Sequence, residues 1–149
     1  MPAGAITLSD ITSADWSLAL DTLGRPGSGI GNVVQGLADV NQCVGIILTT
    51  PKGSDPLRPT FATNLWQFID YPINSLLAAV VREVTQALTL WEPRITLVSI
   101  TAQPVIDNTA QSGAHLDVSV TWKLKLTTNG VSAGTIGTSQ STSVSIFTP

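Results

Sequence analysis

Few residues of this sequence are of the types that bind metals or act as catalytic bases, and they lie far apart. The chain of 149 residues has one histidine, His115, and one cysteine, Cys43, on different predicted elements. A metal site needs clustered His, Cys or carboxylate ligands, and a hydrolase triad needs a histidine beside its nucleophile. We therefore interpret His115 as an ordinary residue at a strand start and Cys43 as a helix residue near the core, and we expect no metal.

The two glutamates are the next candidates for acid–base chemistry. A glycosidase uses two carboxyl groups that face each other about 5–10 Å apart. Here Glu83 directly follows Arg82, and Glu92 lies two residues before Arg94. A neighbouring arginine favours the ionised carboxylate, whereas a general acid must carry a proton. Glycine-rich residues 24–31 match neither the dinucleotide-binding nor the P-loop pattern, so the sequence disfavours an enzyme and predicts no cofactor.

Composition argues against nucleic-acid and membrane partners. The net charge of −3 and the isoelectric point of about 4.7 provide no basic surface for a phosphate backbone. The best apolar runs, residues 43–48 and 76–81, are much shorter than the roughly 20 residues of a membrane-spanning helix. The N-terminus lacks the basic start and apolar stretch of a signal peptide. A single cysteine suits a reducing compartment, so we expect a cytosolic origin.

The scarcity of charge is the most unusual property of the composition. Only 11% of residues are charged, against about 25% in a typical soluble domain. Two explanations are open: uncharged polar residues form much of the surface, or other proteins cover much of it.

Two helices are predicted from apolar residues at three- and four-residue steps. The first runs from about Asn32, a plausible N-cap, to Thr49. A connector with three prolines follows, with a short helix or turn at residues 65–69. The second and stronger helix spans about residues 73–90, capped by Asp70 or Asn74, and it ends because Pro93 excludes its preceding residue from the helical region.

The C-terminal half is predicted to be β-structure. Residues 95–100 are strand-like, and residues 115–127 alternate cleanly between apolar and polar side chains. Asn129-Gly130 is typical of a two-residue hairpin turn. Residues 131–143 alternate poorly, and Val144, Ile146 and Phe147 form a last short strand. The predicted fold class is α+β, with two main helices packed on a mostly antiparallel C-terminal sheet.

Residues 1–31 are predicted to be an extended segment before a single domain of residues 32–149. Trp16, Leu18 and Leu20 alternate with polar or small residues, which indicates a short half-buried strand. Residues 24–31 combine glycine and proline and favour a loop.

An ordered set of motifs over residues 33–100 resembles the baseplate wedge proteins of contractile phage tails, a family also called baseplate assembly protein W or the sheath initiator. A similar component belongs to the type VI secretion baseplate. A helix ending in Leu-x-Thr-Pro-x-Gly is followed by Arg58-Pro59-x-Phe61, Asp70-x-Pro72-x-Asn74 and Trp91-Glu92-Pro93-Arg94-Ile95. The chain departs from the family in having Ala62 after the phenylalanine, where glycine is usual, and Asp55-Pro56 before Leu57.

The resemblance implies a structural role in a virion tail baseplate, assembled in the host cytoplasm. It implies that Glu92, Pro93 and Arg94 dock onto the helical core of the wedge, and that the terminal strand with Val144, Ile146 and Phe147 pairs with extended arms of the tail sheath protein. Other wedge subunits and the sheath protein are the implied partners, with tube and spike-hub proteins as further candidates. The wedge would thereby be joined to the first sheath ring.

The residues themselves leave alternatives open at both sites. Glu92 and Arg94 could simply pair with each other, or Arg94 could act as a bidentate donor to a partner; the resemblance favours the second. The weak strand of residues 131–143 could accept a strand from another chain, or be a tail without a partner. Two other functions compete with the structural one: a peptidoglycan-degrading, lysozyme-like tail enzyme, and a generic module that binds by strand addition.

Overall fold

The computed structural model describes residues 15–20, 32–68, 72–105, 115–128 and 131–147. Its elements, in chain order, are β1 (Trp16–Leu18), β2 (Val33–Gln35), α1 (Leu37–Thr49), a 3₁₀ helix (Leu65–Phe68), α2 (Ile73–Trp91), β3 (Ile95–Val105), β4 (His115–Thr128) and β5 (Val131–Phe147). Strands β1 and β2 form a small antiparallel pair, and β3, β4 and β5 form an antiparallel sheet in that order. The predicted α+β class is confirmed.

The central strand β4 supplies much of the core of the sheet. Its alternation predicts one apolar face, and four successive residues of that face are buried: Leu116, Val118, Val120 and Trp122. The Trp122 indole Nε1 donates a hydrogen bond of 3.0 Å to the Thr142 hydroxyl on β5. This bond satisfies a polar group that would otherwise be buried without a partner.

Helix α2 packs against β3 through its apolar stripe. Leu76, Val80, Val84, Ala87 and Leu88 are all buried, as their helical spacing predicts. The helix ends at Trp91, one residue later than predicted.

The predicted cap of α2 is wrong within the described residues. Pro72 occupies the N-cap position with no side-chain hydrogen bond, and Asn74 lies inside the helix. Asp70, the other candidate cap, lies outside the described residues. A proline there pre-sets the backbone angle for the chain's entry into the helix.

Helix α1 begins five residues later than predicted, so Asn32 is not its N-cap. Residues 33–35 instead form β2, which pairs with β1. Gly36 separates strand from helix with a φ of +60°, a conformation that glycine adopts without steric cost. Val33 of β2 lies at a helical step before Leu37 and is buried, so the spacing of apolar residues alone predicts a helix start that is too early.

The N-terminal strand exists, but its predicted apolar face is largely open. Trp16 and Leu18 are 44% and 53% exposed, and Leu20 is half-buried. The Gln42 side chain on α1 holds the strand: its Oε1 accepts from Leu20 N–H at 2.9 Å, and its Nε2 donates to Leu18 O at 2.8 Å. Hydrogen bonding, rather than apolar burial, fixes this segment.

The chain divides into two compact units, residues 1–43 and residues 44–149. The boundary falls within α1. The predicted arrangement of a segment 1–31 and a domain 32–149 stays a prediction.

The C-terminal segment is one long strand, where the sequence predicts a poorly defined stretch and a short last strand. Strand β5 pairs with β4 from Val131 opposite Thr128 to Phe147 opposite His115. The neighbouring strand offers backbone hydrogen-bonding groups along its length, so pairing does not require strict alternation. The register shifts between Trp122 and Leu124 and again between Leu126 and Thr127. The predicted hairpin turn at Asn129-Gly130 and the predicted loop at residues 24–31 lie outside the described residues.

Candidate interface site

The sequence motif Glu92-Pro93-Arg94 forms the corner between α2 and β3. The Glu92 backbone N–H donates to Leu88 O at 3.0 Å and so continues the helical pattern by one bond. Pro93 is exposed and cannot donate a backbone hydrogen bond, which ends the helix. Arg94 O then accepts from Lys125 N–H at 2.7 Å, which ties the corner to β4.

Glu92 and Arg94 form a two-pronged ion pair across this corner. The Arg94 Nε lies 2.7 Å from Glu92 Oε1, and Nη2 lies 2.8 Å from Oε2. The Glu92 side chain is only 4% exposed, whereas that of Arg94 is 30% exposed. The intramolecular pair is thus present, and the planar guanidinium forms a bidentate contact with the Glu92 carboxylate. An interface role for this corner stays a prediction.

A small cleft of about 150 Å³ lies beside the corner. Leu88 and Thr89 of α2, Ile95 to Leu97 of β3, Lys125 of β4 and Glu92 line it. Its volume is of the order of one aliphatic side chain, and its walls combine apolar groups with two charged residues.

The proline-rich connector is a folded loop, residues 51–63, which we call the connector loop. Three turns follow one another, with hydrogen bonds from Ser54 N–H to Pro51 O, from Arg58 N–H to Asp55 O and from Phe61 N–H to Arg58 O. Lys52 N–H donates to Thr63 O at 2.8 Å and closes the loop. The buried Thr63 hydroxyl donates to Leu48 O at 3.1 Å and anchors it to α1.

An aromatic contact joins the connector loop to the end of α2. The Arg58 guanidinium carbon lies 4.7 Å from the Phe61 ring centroid, and Phe61 meets Trp91 edge-to-face with centroids 5.2 Å apart. Trp91 Nε1 also donates to Thr60 O at 3.1 Å. The motifs Arg-Pro-x-Phe and Trp-Glu-Pro-Arg, separate in sequence, are therefore neighbours in space. Sequence reasoning missed this link, although a cation and two aromatic rings in the matching motifs were a usable signal.

Asp55 stabilises the tip of the connector loop. A hydrogen bond from Leu57 N–H to its carboxylate lowers the pKa of Asp55 below the ordinary value of 3.8, and the Arg58 guanidinium adds to this effect. The Asp55–Arg58 ion pair spans 3.1 Å. Both contacts favour the charged carboxylate, so the tip holds its shape at neutral pH.

Ala62 adopts an unusual backbone conformation directly after the loop's phenylalanine. Its φ is +72°, in the left-handed region, and its side chain is buried. This is the position at which the resembling family usually has glycine, a residue with no steric penalty there. Alanine at this position therefore introduces local backbone strain.

The second predicted contact site, Val144, Ile146 and Phe147, lies in β5 at the edge of the sheet. These residues pair with Val118, Leu116 and His115 of β4 respectively. Within the described residues no strand pairs with the other side of β5. The two predicted sites thus lie on different parts of the sheet, one at the start of β3 and one at the end of β5.

The described segments contain no group of three or more His, Cys, Asp or Glu residues that could hold a metal ion. Over the same residues, neither helix is both long and apolar enough to cross a membrane.

Comparison with solved structures defines the class of protein as that of contractile-tail baseplates. The chain is 32% identical to a chain in the baseplate of the contracted pyocin R2, with a TM-score of 0.54 over 66% of this chain and 95% of that one. A chain of the anti-feeding prophage baseplate shares the fold at 21% identity, with a TM-score of 0.57 over 79% and 86% of the two chains.

The family model described as baseplate wedge protein gp25 matches residues 34–129, and the chain belongs to this family. Baseplate protein W of Escherichia phage P2 is 33% identical over 91 residues, which span 58% of this chain and 79% of that protein. The resemblance seen in the sequence motifs is confirmed. The protein is a structural component of a contractile-tail baseplate.

One similar structure carries an enzymatic description. A protein from Geobacter sulfurreducens described as a putative tail lysozyme is 27% identical, with a TM-score of 0.58 over 78% of this chain and 96% of that one.

Proposed function

We propose that this wedge protein links the core of the wedge to the first ring of the tail sheath and nucleates sheath assembly. The observation that carries the proposal is the position of β5, Val131–Phe147, as an edge strand. An edge strand presents a row of unpaired backbone N–H and C=O groups to another chain. An extended arm of a sheath subunit would add to the sheet beside β5, with Val144, Ile146 and Phe147 in the contact.

The corner between α2 and β3 is the proposed contact with the wedge core. Pro93 is exposed and Arg94 is partly exposed, so these two residues would touch the partner. Glu92 is buried and holds Arg94 through both carboxylate oxygens, so we assign it a positioning role. The adjacent cleft of about 150 Å³ would receive an aliphatic side chain of the partner.

We further propose that the protein is not an enzyme, that it is assembled into the virion baseplate in the host cytoplasm, and that nucleic acid and membrane take no part in its action. Tube and spike-hub proteins remain candidate neighbours. The geometry of the glutamates supports the non-enzymatic proposal: both Glu92 oxygens bond to Arg94, and Glu83 Oε1 accepts from Asn64 N–H at 3.1 Å. Each is engaged in holding the fold.

Proline substitution in β5 tests the sheath contact. Along an antiparallel strand, backbone N–H groups point alternately toward the neighbouring strand and away from it. Ser143 and Val144 are consecutive residues of β5. One of the variants Ser143→Pro and Val144→Pro therefore loses a hydrogen bond to β4, and the other loses only an N–H group that points outward. Thermal melting identifies the outward variant as the more stable of the two. We expect that variant to bind the other wedge subunits normally and to form baseplates that recruit no sheath ring in electron micrographs. Normal sheath growth from those baseplates would contradict the proposal.

The lysozyme-like alternative comes from the putative tail lysozyme with the same fold. Purified protein incubated with peptidoglycan settles it by turbidity. We expect no clearing above buffer, and clearing that disappears in Glu83→Gln or Glu92→Gln would establish the enzymatic function instead.

The other alternative is a generic module that binds by strand addition. Such a module would bind extended arms of unrelated proteins as tightly as the arm of the sheath protein. Competition binding between the sheath arm and an unrelated arm distinguishes the two functions.

A further inference from the structure

The connector loop carries the most exposed large apolar side chain among the described residues. Leu57 is 92% exposed at the tip of the loop. Single apolar residues on a surface are common and need no explanation. Leu57 differs because the backbone that carries it is held in place by contacts on both sides.

Hydrogen bonds within the chain hold the tip of the loop. The Asp55 carboxylate accepts from Leu57 N–H at 2.9 Å and from Arg58 Nε at 3.1 Å. Pro56 directly precedes Leu57, and Pro59 directly follows Arg58. Each proline ring fixes the φ angle of its own residue. Binding through such a loop would cost little conformational entropy, because its backbone is already restrained.

The charges of the loop indicate the chemistry of its partner. Lys52 and Arg58 are exposed, and Asp55, the loop's anion, is already engaged by Arg58. The loop is therefore positive on a chain whose net charge is −3. A partner surface that combines an apolar hollow with surrounding carboxylates would complement it.

The loop also continues the corner surface. Phe61 contacts Trp91, the residue directly before Glu92, and Trp91 is bonded to Thr60. A partner that reaches the corner at Pro93 would thus meet a loop that is connected rigidly to the same helix end.

We propose that the connector loop docks into an apolar pocket bordered by carboxylates on another subunit of the baseplate wedge. Leu57 is the side chain that becomes buried, and Lys52 and Arg58 contact the acidic border. The inference rests on membership in the wedge family and is independent of the proposed sheath contact at β5.

Leu57→Ser tests the anchor, with Leu37→Ser as its control, since Leu37 is also exposed, at 47%. Each variant is co-expressed with the remaining wedge subunits of the same tail, one at a time and together, and the affinity of the purified pair is measured. We expect Leu57→Ser to weaken one wedge pair about tenfold or more, as for a central apolar contact, and Leu37→Ser to leave it unchanged. Both variants should melt at the wild-type temperature because neither side chain is buried. Equal affinity of Leu57→Ser and the wild type would overturn the proposal.

Lys52→Glu tests the acidic border. It should weaken the same pair by several-fold, with a weaker salt dependence than the wild type. Unchanged or tighter binding would show that the border is not acidic.

A photo-reactive amino acid in place of Leu57 identifies the occupant in assembled baseplates. Cross-links to apolar residues of another wedge subunit support the proposal. Cross-links only to a second copy of this chain, only to the sheath protein, or to no protein would each overturn it. The β5 proline variants report on the sheath contact separately, so either proposal can fail alone.

Discussion

At the scale of residues, Glu92 and Arg94 form a pair whose members differ in their access to water. The Glu92 side chain is 4% exposed and that of Arg94 is 30% exposed. Removing the arginine leaves a carboxylate buried without its cation, whereas removing the negative charge leaves a guanidinium that water can reach. The cost of breaking the pair therefore depends on which member is changed.

Arg94→Ala should lower the free energy of unfolding by about 3 kcal/mol, near the lower end for a buried pair because Arg94 is partly hydrated. Glu92→Gln retains the volume and one acceptor oxygen and should cost about 1 kcal/mol. Arg82→Ala, at an exposed position of α2, is the matched control and should cost less than about 0.5 kcal/mol. Urea unfolding measures all three, and equal losses for Arg94→Ala and Arg82→Ala would contradict the structural role of the pair. Wedge binding by Arg94→Ala must accordingly be measured at a temperature at which the variant is folded.

The strain at Ala62 can be measured against an alanine in ordinary helical conformation. Ala62→Gly removes the strain of the left-handed conformation, which stabilises the fold by about 1 kcal/mol. It also removes a buried methyl group and raises the conformational entropy of the unfolded chain, and together these destabilise the fold by a comparable amount. We expect a change of less than about 1 kcal/mol. Ala87→Gly in α2, also buried, should lose about 2 kcal/mol because helix propensity and methyl burial both fall. Equal losses at the two sites would argue that Ala62 is unstrained.

At the scale of elements, the sequence predicts burial best where the spacing of apolar residues within one helix or strand determines which face is buried. The stripe of α2 and the alternation of β4 both match the burial found, because each element packs one face on a continuous core. The start of α1 and the extent of β5 depended on pairing partners elsewhere in the chain, and there the predictions were wrong. The corner followed from Pro93, but the connector loop did not, since Phe61 and Trp91 are 30 positions apart in the sequence.

The hydrogen bond between Trp122 and Thr142 joins the two longest strands inside the core. Thr142→Val keeps the shape but leaves the buried indole N–H without its partner, so we expect a loss of about 2 kcal/mol. In the Trp122→Phe background the same change should cost about 1 kcal/mol less, which a double-mutant cycle measures as coupling.

Ser141→Ala provides the matched control for this coupling. Ser141 makes an exposed hydroxyl contact of 3.2 Å with Ser119 between the same strands, and its loss should cost less than about 0.5 kcal/mol. Additive effects of the Trp122 and Thr142 substitutions would mean that the bond contributes nothing to stability.

At the scale of the whole molecule, the shortage of charge fits a subunit that other proteins surround. Only 11% of residues are charged, and several large apolar side chains are at least half exposed: Leu18, Leu57, Trp66, Leu90 and Val98. Such a surface favours association over free solution. Of these side chains, Leu57 lies in one of the proposed contacts, the connector loop.

Hydrogen exchange along β5 measures the proposed sheath contact at the strand itself. In the isolated protein, amides of Val131–Phe147 that point away from β4 should exchange quickly, while the alternate amides bonded to β4 are protected. In baseplates that carry the first sheath ring, compared with baseplates that lack it, we predict that the fast-exchanging amides become protected too, while the amides of β3, Ile95–Val105, exchange at the same rate in both. Unchanged exchange in β5, or new protection along β3 instead, would contradict a sheath contact at β5.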